Sequence, residues 1–327
     1  MKLFIFSIFL GLTLGGCTSS SESTEARIWV SNEGDNTVSV INFKTLEVVA
    51  TINVGQRPRG IGLSPNREEL YVALGEDDAI SVVDTKTLEV SRVLDSGSDP
   101  EMFAVNSKNG HIYLSNEDEG TATVLDPVSG KQIAVIPVGI EPEGVAVSPT
   151  GSLALVTAEA TNTVHVLSIP EHEEIKTFLV GPRPREATFS PDGSVAYVTS
   201  EIGREITKFD MVDLIEIAKV RLEEVETKPK GIVLLPKRNE LLVTTGRGNT
   251  VVILNAETLE RLGTISVGKR VWGISSTTDE KFAFTADGLD DEVSVIDVSS
   301  RKVLKKIKVG SRPWGCLLYT SDAADEG

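Results

Sequence analysis

Charged side chains flank a proline that returns about every 42 residues along this chain. In chain order the flanking residues are Arg57 and Arg59, Asp99 and Glu101, Glu141 and Glu143, Arg183 and Arg185, Lys228 and Lys230, Lys269 and Arg270, and Arg312. Two neighbouring repeats are therefore acidic, and the other five form a basic arc. Guanidinium and ammonium groups donate strong hydrogen bonds to carboxylate and phosphate oxygens. If the repeats converge, the arc predicts a site for an anion.

A second set of carboxylates is placed just after the second strand predicted in five repeats. Its members are Glu33, Glu117, Glu159, Glu201 and Asp287. Three interpretations are open for the two sets together. The carboxylates pair with nearby arginines or cap turns, the basic arc binds an anionic small molecule or a partner peptide, or the carboxylates hold Ca²⁺. No EF-hand-like loop is present, and the sequence predicts no metal site.

Two tryptophans share one position of the repeat, since Trp272 and Trp314 each follow the residue at the proline position. They indicate packing at the rim or a small aromatic ledge beside the arc. The predicted ligand-binding residues are Arg57, Arg59, Arg183, Arg185, Lys228, Lys230, Arg270, Arg312, Trp272 and Trp314.

The sequence argues against two classes of function. The histidines His111, His165 and His172 are scattered, and no Gly-x-Ser-x-Gly elbow, P-loop or Cys-x-x-Cys pair occurs. We therefore predict no catalytic residue and no cofactor. The formal net charge of −16 excludes nucleic acid as a partner, because an acidic protein repels phosphate backbones.

The elements that position these residues are short strands. In the repeat that begins at Pro142, apolar alternation predicts strands over 142–149, 153–157, 163–167 and 174–180. Four antiparallel strands in a unit of this length are typical of a propeller blade. Six such units span 58–99, 100–141, 142–183, 184–228, 229–270 and 271–312.

A seventh blade is assembled from the two ends of the repeat region. Residues 27–57 carry only three strands, and the segment that begins at Pro313 supplies the missing first strand. The predicted fold is an all-β, seven-bladed β-propeller over 27–315, closed by pairing of the N- and C-terminal strands. Closure removes the free sheet edges that an open ring would expose.

The two ends of the chain are not expected to belong to the propeller. Residues 1–16 read as a signal peptide that ends at Cys17, in a pattern that resembles the lipobox of bacterial lipoproteins, and 17–26 as a lipidated tether. A plain signal peptide is the alternative. Residues 316–327 break the repeat and resemble a translated sequencing adapter, although Cys316, Leu317 and Leu318 are apolar enough to mimic the closing strand. An ordinary strand followed by a polar tail is the alternative.

The repeats resemble a known family. Val195 to Thr199 and Val293 to Asp297 are similar to YVTN-type propeller repeats, and the segments around Pro58, Pro100 and Arg270 resemble the β-propeller family associated with PQQ-dependent catabolism. The resemblance covers 27–315. It implies an exported accessory of PQQ-dependent dehydrogenases and transport systems, and it supplies no catalytic residue.

We expect a periplasmic, non-catalytic binding or scaffold protein, lipid-anchored through Cys17 to a bacterial membrane. The residue after it, Thr18, weakly favours the outer membrane. A periplasmic dehydrogenase, a transport component or an anionic small molecule is the expected partner. Two alternatives are a hydrolase resembling the propeller lactonases, with the carboxylates as metal ligands or bases, and a surface adhesin or surface-layer module.

Overall fold

The computed structural model describes residues 26–224 and 226–319, and these form seven four-stranded antiparallel sheets arranged as blades in a ring. The predicted seven-bladed propeller is confirmed. The predicted signal peptide, Cys17 and most of the tether lie outside the described residues. No helix long and apolar enough to cross a membrane occurs in the described part.

The blades are numbered from the one that contains the first strand. Blade I contains β28 (Pro313–Tyr319), β1 (Arg27–Asn32), β2 (Thr37–Asn42) and β3 (Glu47–Asn53). Blade II contains β4 (Pro58–Leu63), β5 (Glu69–Leu74), β6 (Ala79–Asp84) and β7 (Val90–Asp95). Blade III contains β8 (Pro100–Val105), β9 (Ile112–Asn116), β10 (Thr121–Asp126) and β11 (Lys131–Pro137).

The other four blades follow the same order. Blade IV contains β12 (Pro142–Val147), β13 (Leu153–Ala158), β14 (Thr163–Ser168) and β15 (Glu174–Leu179). Blade V contains β16 (Pro184–Phe189), β17 (Val195–Ser200), β18 (Glu205–Asp210) and β19 (Ile215–Arg221). Blade VI contains β20 (Ile232–Leu235), β21 (Glu240–Thr244), β22 (Thr250–Asn255) and β23 (Arg261–Ser266), and blade VII contains β24 (Val271–Ser276), β25 (Phe282–Asp287), β26 (Glu292–Asp297) and β27 (Lys302–Lys308).

The core lies between blades. Seven buried apolar clusters each join two neighbouring blades, so every blade is covered on both faces. The middle strands are buried along nearly their whole length, whereas each fourth strand exposes most of its residues at the outer edge. Burial on both faces explains why the middle strands carry apolar residues at successive positions, as in Leu241, Leu242 and Val243 of β21.

Blade I closes the ring. Its first strand, β28, pairs antiparallel with β1, with Cys316 opposite Val30 and Leu318 opposite Ile28. The closing strand therefore continues past residue 315, the expected end of the propeller, and includes Cys316 to Tyr319, four residues of the segment attributed to an adapter. The first three of these residues are apolar, and Cys316 packs in the cluster between blades VII and I, so the segment fits the closing position whatever its origin.

Candidate functional site

The first strands line a central channel, and the residues that follow the recurring proline position form a ring at one end of it. We call this set the channel ring and this end the mouth. The channel ring consists of Arg59, Glu101, Glu143, Arg185, Lys230, Trp272 and Trp314. Each member follows the residue at the recurring proline position, so the repeat itself sets the ring.

A recurring hydroxyl fixes the backbone of the ring. In blade IV the Oγ1 of Thr157 accepts a hydrogen bond from the Gly144 N–H (2.8 Å) and donates one to the Arg185 carbonyl of the next blade (2.9 Å). Ser31, Ser115, Thr199 and Thr244 link their neighbouring blades in the same way. One hydroxyl thus ties two adjacent ring positions together.

The residues just before the first strands are held differently. The N–H groups of Arg57, Arg183 and Arg270 each donate to an asparagine oxygen 21 residues upstream, at 2.9–3.1 Å. All three arginines adopt φ between 52° and 62°, a left-handed conformation that residues other than glycine seldom adopt. The asparagine hydrogen bond stabilises this turn. It therefore fixes the direction in which each arginine side chain leaves its loop at the mouth.

On one side of the mouth the charges are paired. The guanidinium of Arg57 contacts Asp99, Glu101 and Glu117, and that of Arg59 contacts Glu101 and, at 3.3 Å, Glu33. The carboxylates of Asp99, Glu101 and Glu117 lie close enough together to suggest a metal cluster. Arg57 already supplies positive charge to all three, so the geometry favours ion pairing there.

Arg185 is the centre of a second network. Its guanidinium contacts Glu143 (2.6 Å), Glu159 and Glu201 (2.7 Å), and the side chain is only 8% exposed. Arg183 contacts Glu159 and Glu201, and Lys230 contacts Glu201 at 2.8 Å. Arg57, Arg59, Arg183 and Arg185, with the carboxylates they contact, are called the paired side below.

These contacts set the ionisation of the network. Burial alone would raise the pKa of Glu201, but Arg185 and Lys230 outweigh it and hold the pKa at about 2. Burial and the charge of Glu143 raise the pKa of Glu159 to about 7, although Arg185 and Arg183 oppose the rise. Burial, with Arg185 close by, lowers the pKa of Lys230 to about 8.

Glycine replaces the ring-facing carboxylate in three blades, and a long side chain fills the space. A Cβ on Gly75 would meet the Arg57 guanidinium, and one on Gly246 would come within 3.2 Å of the Lys230 side chain. In blade VII a Cβ on Gly288 would come within 2.9 Å of the Trp272 indole. Because blades VI and VII lack this carboxylate, Arg247 and Arg270 have no acidic partner among the described residues, whereas Lys230 reaches Glu201 of blade V.

The opposite side of the mouth is open. Among the described residues, the exposed guanidinium groups of Arg247 and Arg270 make no ion pair. The Trp272 ring lies 5.2 Å from the Arg270 guanidinium carbon and 3.7 Å from Lys230 Nζ, and it stacks on Trp314 with centroids 5.8 Å apart. Arg247, Arg270 and Trp272 are called the open side below.

Two cavities follow from this arrangement. A polar cavity of about 220 Å³ at the mouth is lined by residues of both sides, including Arg247, Arg270 and Trp272. A second cavity of about 200 Å³, called the chamber, continues along the channel between the first strands. Glu143, Arg185, Lys230 and Trp272 line both, so the two cavities are adjacent.

Most of the predicted site residues lie at the mouth, and Asp287 does not belong with the other carboxylates. Asp287 pairs in register with Val271 and Glu292, the position that Asn32 occupies in blade I, one residue before Glu33. It is fully buried and accepts hydrogen bonds from Thr285 and Ser294. Burial raises its pKa to about 6. Its role is to connect strands, and the expectation that it faces the ring is corrected.

Lys228 and Arg312 also contribute less than expected. Both precede first strands, but neither lines the mouth cavity or the chamber. Among the described residues neither side chain makes an ion pair, and Arg312 is exposed. Their positions in the repeat were predicted correctly, but the direction of a side chain from its loop is not encoded in the spacing.

Two residues of the site were missed. Arg247 stands one residue after the glycine that replaces the carboxylate in blade VI, so aligning the blades would have shown a cation in an otherwise acidic loop. Glu186 stands where five other first strands carry glycine, namely Gly60, Gly144, Gly231, Gly273 and Gly315. A carboxylate at a position dominated by glycine is a detectable signal.

Comparison with known proteins supports the fold and leaves the activity open. The model of a family described as YNCE-like β-propeller matches residues 13–108. No curated protein matches the chain significantly. Among solved structures, the hydrazine synthase of Kuenenia stuttgartiensis is 17% identical with a TM-score of 0.76, covering 88% of this chain and 99% of that one.

Two further structures are equally similar. A protein of unknown function from Desulfotomaculum acetoxidans is 19% identical with a TM-score of 0.79, covering 90% of this chain and 99% of that one. A proposed 6-phosphogluconolactonase from Bacteroides fragilis is 20% identical with a TM-score of 0.78, covering 92% and 99%. At these identities the likeness concerns the fold, and the chain is a seven-bladed β-propeller whose N-terminal third is similar to the YNCE-like model.

Proposed function

We propose that this propeller is a non-catalytic binding protein that holds a small anion on the open side of its mouth. One observation carries the proposal: Arg247 and Arg270 make no ion pair among the described residues, although they border a polar cavity in which the other arginines are paired. Unpaired like charges at a concave opening raise each other's energy, and an anionic ligand relieves this. Trp272 supplies an apolar wall beside them.

The paired side has a different role. Its arginines already donate to buried carboxylates, so their donors are largely used. Of the interpretations open from the sequence, arginine–carboxylate pairing suits this side and anion binding suits the open side. The paired side then acts as the frame that holds Lys230 and Trp272 in place.

The proposed cellular setting rests on the sequence alone. We propose that the protein is exported and anchored through Cys17, and that it serves a PQQ-dependent oxidation system as a ligand-binding accessory. The lipobox-like pattern and the family resemblance support this setting. Fractionation of a Cys17→Ser variant tests the anchor, because unchanged association with membranes would overturn it.

Calorimetric titration tests the binding function. Wild type is titrated with acetate, gluconate, succinate, benzoate and phosphate, and is compared with the Arg247→Gln/Arg270→Gln double variant. We expect binding of at least one anion to weaken by about 1.5–3 kcal/mol per charged hydrogen bond removed. Lys228→Gln/Arg312→Gln is the matched control, since it removes the same two charges from residues outside the cavity, and it should bind as wild type does.

Two results would contradict the proposal. Absence of heat with every anion would overturn it, as would equal affinity of wild type and the double variant. Metal content of the purified protein, measured in parallel, tests the hydrolase alternative, in which a metal would be held by Asp99, Glu101 and Glu117.

A further inference from the structure

The chamber differs from the mouth in chemistry. Its walls are mostly apolar: Ile61, Met102 and Ile274 from first strands, with Trp272, Trp314 and Leu317. A cavity of about 150 Å³ with apolar walls can hold benzene. At about 200 Å³ the chamber has room for a six-membered ring with one substituent.

Glu186 is the exceptional group in this chamber. It is half-buried, and among the described residues it makes no ion pair. Its Oε2 lies 3.2 Å from where a Cβ on Gly231 would stand, so it projects across the face of the next first strand. The backbone N–H of Ile232 faces it, and Glu143 is the charged neighbour that acts on it most.

The Ile232 N–H accounts for one hydrogen bond of this carboxyl group, and its remaining polar positions need a partner. Half-buried in an apolar chamber, the group is costly without one. Burial raises the pKa of Glu186 to about 8, with Glu143 adding to the rise and the Ile232 N–H opposing it, so the group carries a proton near neutral pH. A protonated carboxyl both donates and accepts, which matches a hydroxyl or carbonyl group on a ligand.

The chamber and the open side are adjacent. Trp272 and Lys230 line both cavities, so a ligand of suitable length can meet both. An inorganic cation or an amine fits poorly, because access from the mouth passes Arg247 and Arg270. A ligand with an anionic end at the mouth and an apolar body in the chamber is complementary to the cations of the open side and to the apolar walls of the chamber.

We infer that the ligand is a monocyclic aromatic carboxylate, whose carboxylate meets Arg247 and Arg270 while its ring enters the chamber beside Trp272 and a polar ring substituent reaches Glu186. This inference rests on the proposed function and narrows its ligand class. It assigns Glu186 as a specificity-determining residue.

Titration of the wild-type protein with acetate, benzoate, 4-hydroxybenzoate and phenol tests the inference without any substitution. Benzoate should bind at least about tenfold more tightly than acetate because its ring leaves water. 4-Hydroxybenzoate should bind about two- to tenfold more tightly than benzoate, the range of one neutral hydrogen bond. Equal affinities for acetate and benzoate would overturn the chamber as a site.

Substitutions then locate the two ends of the ligand. Glu186→Gly places the residue found in five other blades and should remove the preference for 4-hydroxybenzoate over benzoate. It should leave the preference for benzoate over acetate unchanged. Met102→Trp fills the chamber and should remove the latter preference while acetate still binds. The control is Glu141→Gln, which neutralises an exposed carboxyl group before β12 and should change neither ratio.

Failure of this inference is distinguishable from failure of the proposed function. If acetate and benzoate bind equally and Arg247→Gln/Arg270→Gln weakens both, the mouth binds anions and the chamber inference is wrong. If phosphate binds and no carboxylate does, the inference alone fails. If no anion binds, the proposed function and the inference both fail, whether or not phenol binds. Retention of the 4-hydroxybenzoate preference in a folded Glu186→Gly variant would overturn the role of Glu186.

Discussion

The two sides of the channel mouth carry the same residue types and use them differently. Arg185 on the paired side is 8% exposed and contacts three carboxylates, whereas the guanidinium of Arg270 on the open side lies over an indole ring and makes no ion pair among the described residues. The difference arises from the second-strand ends, where glutamate in blades IV and V gives way to glycine in blades VI and VII. The same repeat can therefore form a structural ion-pair network in some blades and an unpaired cationic surface in others.

The largest effect is expected from breaking the paired side. Arg185→Gln leaves Glu143, Glu159 and Glu201 without their shared cation, and loss of one partner of a buried pair costs roughly 3–5 kcal/mol. The free energy of unfolding, measured in urea, should fall by that order. Arg312→Gln, on the same face but exposed, should change it by less than about 0.5 kcal/mol. Equal stability of the two variants would mean that the network contributes little to the fold.

The paired side and the chamber should also respond to pH with opposite signs. The folded-state pKa of Glu201 is about 2 against 4.5 for the ordinary group. Its stabilisation is therefore complete above pH 4.5 and is lost as the pH falls towards 2, and it amounts to something on the order of 3 kcal/mol. The stability difference between wild type and Glu201→Gln should shrink across that range. A difference that stays constant from pH 5 to pH 2 would contradict this assignment.

Glu186 should give the free energy of unfolding the opposite dependence on pH. Because its folded-state pKa is about 8, raised from 4.5, its favourable contribution is complete below pH 4.5 and is lost as the pH rises through 8. Glu186→Gln should therefore gain stability relative to wild type between pH 5 and pH 8, as measured by melting temperature at fixed ionic strength. A parallel pH dependence of the two proteins would show that Glu186 is not held protonated.

A smaller effect should follow from making the open side resemble the paired side. Gly288→Glu introduces the carboxylate that other blades carry, next to Arg270, although the Trp272 indole must shift to admit it. We expect anion binding to weaken by about 1–3 kcal/mol as the new carboxylate occupies the cation. Gly288→Ala is the control for the steric shift alone. Similar loss in both variants would assign the effect to Trp272.

The sequence predicted the fold almost completely and the site only in part. The 42-residue spacing of prolines and the apolar alternation specify blade number, strand order and closure, because these depend on local pattern. The convergence of Arg57, Glu101 and Glu117 follows from that order. Whether an arginine is paired depends on whether the end of a neighbouring second strand carries glutamate or glycine, as at Gly288. The spacing within one repeat does not show this difference. The one-residue misplacement of Asp287 has another origin, since this acidic residue ends β25 itself, one position before the place that glutamate occupies in other blades.

Closure of the ring by β28 has a consequence for the timing of biosynthesis. Trp314 and Leu317, which wall the chamber, are carried by the last described strand, whereas their partner β1 begins at residue 27. A nascent chain can form six blades and the whole paired side before the chamber has its final wall. The proposed binding site is therefore complete only after β28 has been made, and a product that stopped before Pro313 would lack this wall of the chamber.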